Sequence, residues 1–581
     1  MLNSIRLERP PRRWITRGSA TTTEVNALRR TLRLPEPLCR LLAVRGLGAE
    51  DDARAFLRPR LERLHDPYLL AGMDRAVERI EEAIAKGETI LVHGDYDVDG
   101  IASTALYTRV LRRLGAKVEP FVPHRIRDGY DLGSAGIEAA VKAAARLILT
   151  GDCGITATDA IRTAASLGID VIVTDHHTPG PSLPPALAVI NPRRSDCSYP
   201  EENLAGAGVA FKLCQALYQG RGLDEEELWY DLDLVALATI ADLVPLLGEN
   251  RILARYGLRV MEQSEKPGIR ALIEVAGLSG PLTAGQVGHQ LAPRINAVGR
   301  IDEASWGVRL LLTEDHSEAR EIAEYLTEVN RERQAVDRRT LDEAFSILAA
   351  DFDPDQDIGL VIAAPGWHPG VIGIVASRIV EELHRPTILI SIDEENGRAR
   401  GSGRSIRGFH LYDALDACSP YLERFGGHRQ AAGLELERDQ IEPFRVAFNE
   451  RARTLLTEDD LTREVAIDLE LLLHQVDREL YDYLQYFGPF GIRNPTPVFA
   501  ARALQLVGRP RIVGRDHLKF IVGDGQTQLE AIAFRMADRV RELEGAREVD
   551  LAFQLHENNW NGRSSLQAKV VDLQVREGTG G

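Results

Sequence analysis

Leu91-Val-His-Gly-Asp-Tyr-Asp-Val-Asp-Gly100 is the stretch on which the reading of this chain turns. Thr89–Val92 has the apolar character of a short buried strand, and the chain leaves it through His93, Asp95, Asp97 and Asp99 at alternate positions. Three carboxylates so close repel one another and raise their own proton affinity unless cations sit between them, so bound divalent metal is the first reading. An Asp-rich, Gly-ended segment also describes a solvated turn, and the downstream sequence decides between the two.

From about residue 75 to 250 the pattern alternates. It gives a helix to Lys86, strand Thr89–Val92, a helix from Ile101, strand Lys117–Val122, a helix near Ile137–Ala145, strand Leu147–Thr150, a helix from Thr156 and strand Asp170–Thr174. Strands separated by helices imply a parallel sheet covered on both faces, and such sheets bind ligands where their strands end. Leu147–Thr150 exits into Gly151-Asp-Cys-Gly154, and Asp170–Thr174 exits into Asp175-His-His177. The apolar helix Leu234–Ala241 ends in Asp242, a carboxylate at the negative end of a helix dipole that also calls for a cation. One buried Asp or His is usually a satisfied structural residue; four coincidences at one sheet edge point to a metal centre. Its mixed imidazole and carboxylate donors favour Mn²⁺ over Mg²⁺.

The chain has 581 residues, enough for three or four domains. No apolar run approaches the ~20 residues of a membrane span, and Ile5-Arg-Leu-Glu-Arg-Pro-Pro-Arg-Arg-Trp14 lacks the hydrophobic core of a secretory signal, so a cytoplasmic protein with no membrane partner is expected. Five cysteines without a CxxC pair exclude a disulfide framework and a zinc ribbon. A net charge of −17 excludes a uniformly basic nucleic-acid binder, so any polyanion must be gripped locally. The candidate patches are Arg125 with Arg127; Arg294 with Arg300; Arg398, Arg400, Arg404 and Arg407; and Arg509, Arg511, Arg515 and Lys519.

The expected architecture is α/β: two α/β lobes joined by a long helix, plus a C-terminal OB-type β-barrel. Residues 1–74, Arg- and Pro-rich, read as a cap on the next domain, and 75–250 as the parallel-sheet lobe. Residues 251–350 read as helical, ending in a charged connector with Ile322, Leu326 and Val329 as a narrow apolar stripe and interrupted by a loop, Pro293-Arg-Ile-Asn-Ala-Val-Gly-Arg300. Residues 351–455 form the smaller lobe, whose glycine-rich loops Gly401-Ser-Gly-Arg-Ser-Ile-Arg407 and Gly426-Gly-His-Arg-Gln-Ala-Ala-Gly433 suit a phosphate cradle. In 460–581, the short strands Ala503–Val507, Leu518–Val522, Leu529–Phe534, Val549–Gln554 and Leu566–Val575 suit a barrel that holds single-stranded nucleic acid or is purely structural.

His93-Gly-Asp-Tyr-Asp-Val-Asp-Gly100, Gly151-Asp-Cys-Gly154, Asp175-His-His177 and Asp242 resemble, in order and spacing, the four metal-binding motifs of the DHH phosphoesterase superfamily. Gly426-Gly-His428 with Ala431-Ala-Gly433 resembles the motif of its associated C-terminal domain, and the whole arrangement is similar to the superfamily's bacterial single-stranded-DNA exonucleases. The resemblance implies two ions, Mn²⁺ or Mg²⁺. His93 and Asp97 would hold one, Asp99, His176 and Asp242 the other, and Asp152 would bridge them. Asp175 counts with the ligand set, Asp95 is a ligand or a support behind one, and His177 would meet the scissile phosphate. His428 and Arg404, with Arg294 or Arg300, would neutralise phosphates; Gly426 and Gly427 belong to the same motif. Arg125, Arg127, Ser402 and Ser405 are candidates for substrate binding, the last three for a terminal 5′-phosphate. Implied with them are 5′→3′ hydrolysis to 5′-mononucleotides in DNA repair and recombination, a monomer, and a single-strand-binding protein and a helicase as partners. Two other readings stay open: a superfamily phosphodiesterase acting on short oligonucleotides or cyclic dinucleotides, and a non-catalytic DNA-binding scaffold.

Overall fold

The computed structural model describes residues 12–125, 127–560 and 563–576; the first eleven residues of the expected cap lie outside them. The first lobe is a five-stranded sheet of β1 (Thr89–Gly94), β2 (Lys117–Phe121), β3 (Ala145–Gly151), β4 (Asp170–Thr174) and β5 (Ala188–Ile190) in the order β2-β1-β3-β4-β5, all parallel. Alternation along the strands splits the core in two. Ile90, Val92, Leu147, Leu149 and Ile172 face helices α1 (Met73–Lys86), α2 (Val98–Arg113), α3 (Gly206–Gly220) and α4 (Leu232–Ala241). Leu91, Ile148, Val171 and Val173 face the helices Ser134–Lys142 and Thr158–Ser166. Strand order reverses between β1 and β3, and ligands of doubly wound sheets bind at that switch point.

Pro293 does not break the pattern: Ala292–Ile301 is a helix, α5, entered through one wide π-type turn, Val287–Leu291. Proline is tolerated there because a first-turn N–H has no helical partner to lose. The connector, α6, runs from His316 to Asp351, ~54 Å at the usual rise. Its first half buries Ala319, Ile322, Ala323, Leu326 and Val329 in the first lobe, and its end buries Ala344 and Leu348 in the second.

The second lobe has strands β6 (Leu360–Pro365), β7 (Thr387–Ile392), β8 (Arg398–Arg404), β9 (Arg424–Gly427) and β10 (Ala431–Glu437), in the order β9-β10-β8-β7-β6, with helix α7 (Pro369–Leu383) following β6. Both glycine-rich segments expected as loops are therefore largely strand. In β8, Ala399, Gly401 and Gly403 point into the core, while Ser402 and Arg404 lie on the opposite side. Glycine serves close packing there: a Cβ on Gly401 would stand 2.7 Å from Leu434.

The C-terminal strands Phe499–Leu506, Glu548–Trp560, Arg563–Arg576, Gln528–Ala533 and His517–Gly523 pair in that order, and the pairs Gln505–Gly523 and Leu506–Val522 close the ring into a five-stranded barrel. Residues 13–57 of the N-terminal segment pack here, whereas Leu70 and Met73, at its end, enter the core of the first lobe. Arg13–Thr16 pairs in parallel with Glu464–Ile467, and Val25, Leu28, Leu38, Leu42 and Phe56 enter the barrel's core. Arg45 pins the union, its guanidinium reaching Asp468 at 3.3 Å and Asn494 at 2.8 Å. No helix among the described residues is long and apolar enough to cross a membrane.

Candidate metal centre

The acidic segment is not one extended edge. Asp97 caps α2, its Oδ1 accepting the backbone N–H groups of Asp99 (2.9 Å) and Gly100 (3.2 Å). Gly100 permits this turn, since a Cβ there would lie 2.3 Å from the Asp95 nitrogen. Asp99 is thus carried into the helix, and its two oxygens accept the N–H groups of Gly206 and Ala207 at the start of α3, both at 2.7 Å. Strand β3 delivers Asp152 in a left-handed backbone conformation (φ 67°), a strained state of the kind stored at functional sites.

Three sets of donor atoms converge, each within 4.8 Å: Asp95, Asp97 and Asp152; Asp99, His176 and Asp242; Asp152, His176 and His177. Asp152 belongs to two of them. His176 Nε2 lies 3.1 Å from Asp152, 3.6 Å from Asp242 and 3.9 Å from Asp99. His176 Nε2, Asp152 Oδ1 and Asp95 Oδ1 are all buried without a hydrogen-bond partner. Polar atoms left so are costly, and hard and borderline cations are what carboxylate and imidazole donors satisfy, so the residues fit a divalent-metal pair.

Electrostatics agree. Burial, then the charges of Asp99, Asp97 and Asp242, push the Asp152 carboxyl well above its ordinary range; Asp95 and Asp242 are raised likewise, and Asp99 to about 7, by burial and then neighbouring aspartates. Burial lowers His93 to about 4 and, with His177, His176 to about 3, keeping both imidazoles in the neutral form that binds metal.

One expected ligand has its donor atoms taken. Asp175 has both oxygens occupied, Oδ1 by the N–H groups of His176 (2.7 Å) and His177 (3.0 Å) and by His177 Nδ1 (2.8 Å), Oδ2 by the Ile155 N–H (3.0 Å). Burial alone would raise its pKa, but these bonds hold it below the usual value, and it orients His177 without joining any of the three sets. His177, in turn, opposed by burial but bonded to Asp175, rises to about 9. His93 places Nδ1 3.5 Å from Cys153 Sγ and leaves Nε2 buried without a hydrogen-bond partner, as a ligand would; it lies outside the three sets, in which Asp95 is the residue grouped with Asp97.

The basic candidates separate in the same way. Arg300 is sunk between the lobes with Arg125, Arg404, Arg333 and Asp97 as charged neighbours, burial and the other arginines lowering it to about 10. Arg404 donates to Ser402 Oγ at 3.3 Å, and Arg125 lies over the Tyr96 ring at 4.9 Å. Among the described residues none of these three arginines is in a salt bridge. Arg127 turns away to Asp128 (3.0 Å), and Arg294 is held on α6 by Thr327 (3.2 Å), with Arg331 beside it. Ser405 is buried and donates to the Phe409 carbonyl at 2.9 Å, so it presents no hydroxyl to a phosphate. Gly426, Gly427 and His428 are exposed at the end of the β9–β10 hairpin.

Several site residues escaped sequence reading. Asn191 leaves β5 just as Asp175 leaves β4, and its Nδ2 donates to the His177 carbonyl at 2.8 Å; following the strand-end rule one strand further finds it. Tyr130 OH lies 3.3 Å from His177 Nδ1, and Asn296 of α5 accepts the Val98 N–H at 3.0 Å, docking α5 on the acidic segment. Neither carries a local signal.

Three family models match the chain: the DHH family N-terminal domain over residues 89–239, the DHHA1 domain over 357–454 and the RecJ OB domain over 467–572. The single-stranded-DNA-specific exonuclease RecJ of Escherichia coli K12 is 39% identical over 565 residues, 93% of this chain and 96% of its own. The crystal structure of RecJ from Thermus thermophilus in complex with Mn²⁺ superposes with a TM-score of 0.84 at 34% identity, covering 97% of this chain and 80% of that one. The Mg²⁺ complex of the same protein gives 0.78 at 32%, with 97% and 79% covered.

Proposed function

The chain belongs to the RecJ family of single-stranded-DNA-specific exonucleases, and on that premise we propose how its own residues divide the work and that digestion runs 5′→3′ with release of 5′-mononucleotides. It is a metal-dependent nuclease. His93, Asp95, Asp97 and Asp152 would hold one Mn²⁺ or Mg²⁺, and Asp99, Asp152, His176 and Asp242 the other, Mn²⁺ being preferred. Bound there, the ion pair supplies a water ionised at neutral pH and neutralises charge on the phosphate oxygens. His177, held through Nδ1 by Asp175, keeps Nε2 to donate to the scissile phosphate. Arg125, Arg300 and Arg404 gather the phosphates next to the cut, Ser402 and Arg404 anchor a terminal 5′-phosphate, and His428 closes over the strand from the hairpin.

The observation that carries this reading is the sharing of Asp152 between two donor sets at a sheet switch point. An enzyme needing single strands draws on a helicase to expose them and meets them coated by a single-strand-binding protein, and we assign it to repair and recombination as a cytoplasmic monomer. The test uses 5′-labelled and 3′-labelled single-stranded oligonucleotides with Mn²⁺. Labelled mononucleotide is expected at once from the 5′-labelled strand and not from an Asp97→Ala variant. Immediate release from the 3′ label, or undiminished cutting by the variant, contradicts the proposal.

A further inference from the structure

The end of α5 and the start of α7 meet backbone to backbone where the lobes join. Arg300 donates to the carbonyl of Gly370 at 3.2 Å, and a Cβ on Gly370 would lie 2.7 Å from the Arg300 carbonyl oxygen, an approach that only glycine allows. A second contact lies nearby on α6, between its last fully buried residue in the first core, Val329, and its first in the second, Ala344. There Asp337, fully buried, meets Arg378 of α7 at 2.9 Å and Arg333 at 3.5 Å. Its other oxygen, Oδ1, is buried without a partner, and Arg300 and Arg338 are its further charged neighbours. A buried carboxylate is costly unless opposed by charge, and breaking such a pair leaves the survivor uncompensated. Arg125, Arg300 and Arg404 meanwhile repel one another, so Arg300 stays among them only if its backbone is fixed and negative charge lies close behind.

We propose that Gly370 and Asp337 are positioning residues: they latch α5 and α6 of the first lobe to α7 of the second and so hold the Arg300 guanidinium beside Arg125 and Arg404, where the scissile strand lies. The inference rests on the assignment of Arg300 to phosphate under the proposed function. Neither residue belongs to a metal-binding set, and neither reaches the arginine cluster except through Arg300 and the arginines of α6 and α7.

A double-mutant cycle on the full chain tests it, with Mn²⁺ and a 5′-phosphorylated oligonucleotide. Gly370→Ala and Arg378→Met are each combined with Arg300→Ala. Residues acting through one partner are strongly non-additive, so each latch variant is expected to lower kcat about tenfold alone and less than about twofold in the Arg300→Ala background. Mn²⁺ affinity, measured by titration calorimetry, stays at the parent's value, and Arg378→Lys recovers most of the lost kcat. Equal losses with and without Arg300 overturn the latch while leaving the phosphate assignment intact. An Arg300→Ala variant with parental kcat and KM overturns that assignment, and the latch with it. Arg378 is 42% exposed at its side chain, so its variant carries the cycle if Gly370→Ala does not fold.

Discussion

Asp152→Asn separates a metal centre from a merely acidic core, because it is expected to stabilise the metal-free protein and to abolish its stabilisation by metal. Donor atoms of the clusters lie within 4.8 Å of one another. Two like charges at ~5 Å with an effective dielectric of ~20 repel by ~3 kcal/mol, and partial protonation reduces this to about 1–3 kcal/mol. For a lobe of this size, that raises the melting temperature in EDTA by about 2–12 °C. Mn²⁺ at ~100 times its Kd stabilises the parent by ~2.7 kcal/mol, a gain the variant largely loses. The pH dependence follows from the raised carboxyls, Asp99 at about 7 and Asp95, Asp152 and Asp242 well above their ordinary values. A folded pKa above the unfolded one destabilises fully above the folded value, and the penalty fades as pH falls toward the unfolded value. The metal-free parent should therefore gain stability as pH falls from about 8 to 5, with the gap to the variant narrowing. Scanning calorimetry in EDTA and in Mn²⁺ across that range measures all of this. A variant that melts below the parent in EDTA, yet keeps the full Mn²⁺ shift, refutes the reasoning.

Asp175→Ala should lower kcat at least about tenfold while calorimetric Mn²⁺ affinity stays within a few-fold of the parent, since Asp175 bonds His177 and joins none of the three donor sets. Arg125→Ala should raise KM for a 5′-phosphorylated strand by ~10- to 100-fold and Arg127→Ala by less than about twofold, because a charge-assisted bond contributes ~1.5–3 kcal/mol and Arg127 is already paired with Asp128. Leu42→Ala, in the core shared by the N-terminal helices and the barrel, should cost ~2–5 kcal/mol in urea unfolding followed by a probe in the barrel, leaving the catalytic lobe's transition in place.

Much of the site was legible because its ligands hang from local pattern. A strand announces itself by its apolar run, and the residue after it must emerge at the carboxyl edge of a parallel sheet, so Asp95, Asp152 and His176 could be assigned to one edge before any contact was known. The five barrel strands and the connector helix were readable for the same reason: their periodicity lies within a dozen residues.

What the tertiary structure alone decided is which side chain keeps a free lone pair. Asp152 and Asp175 both follow a strand end and read alike, yet one belongs to two donor sets and keeps Oδ1 without a hydrogen-bond partner, and the other is filled by its own strand end and the Ile155 N–H. Arg125 and Arg127, two positions apart, part company because Asp128 captures only one of them. The N-terminal segment settles on the barrel through Arg45 and Asp468, 423 residues apart, a contact with no trace in local periodicity. Periodicity specifies where a residue emerges; whether its oxygen meets an N–H, a guanidinium or a cation is set by groups that only folding brings within hydrogen-bond distance.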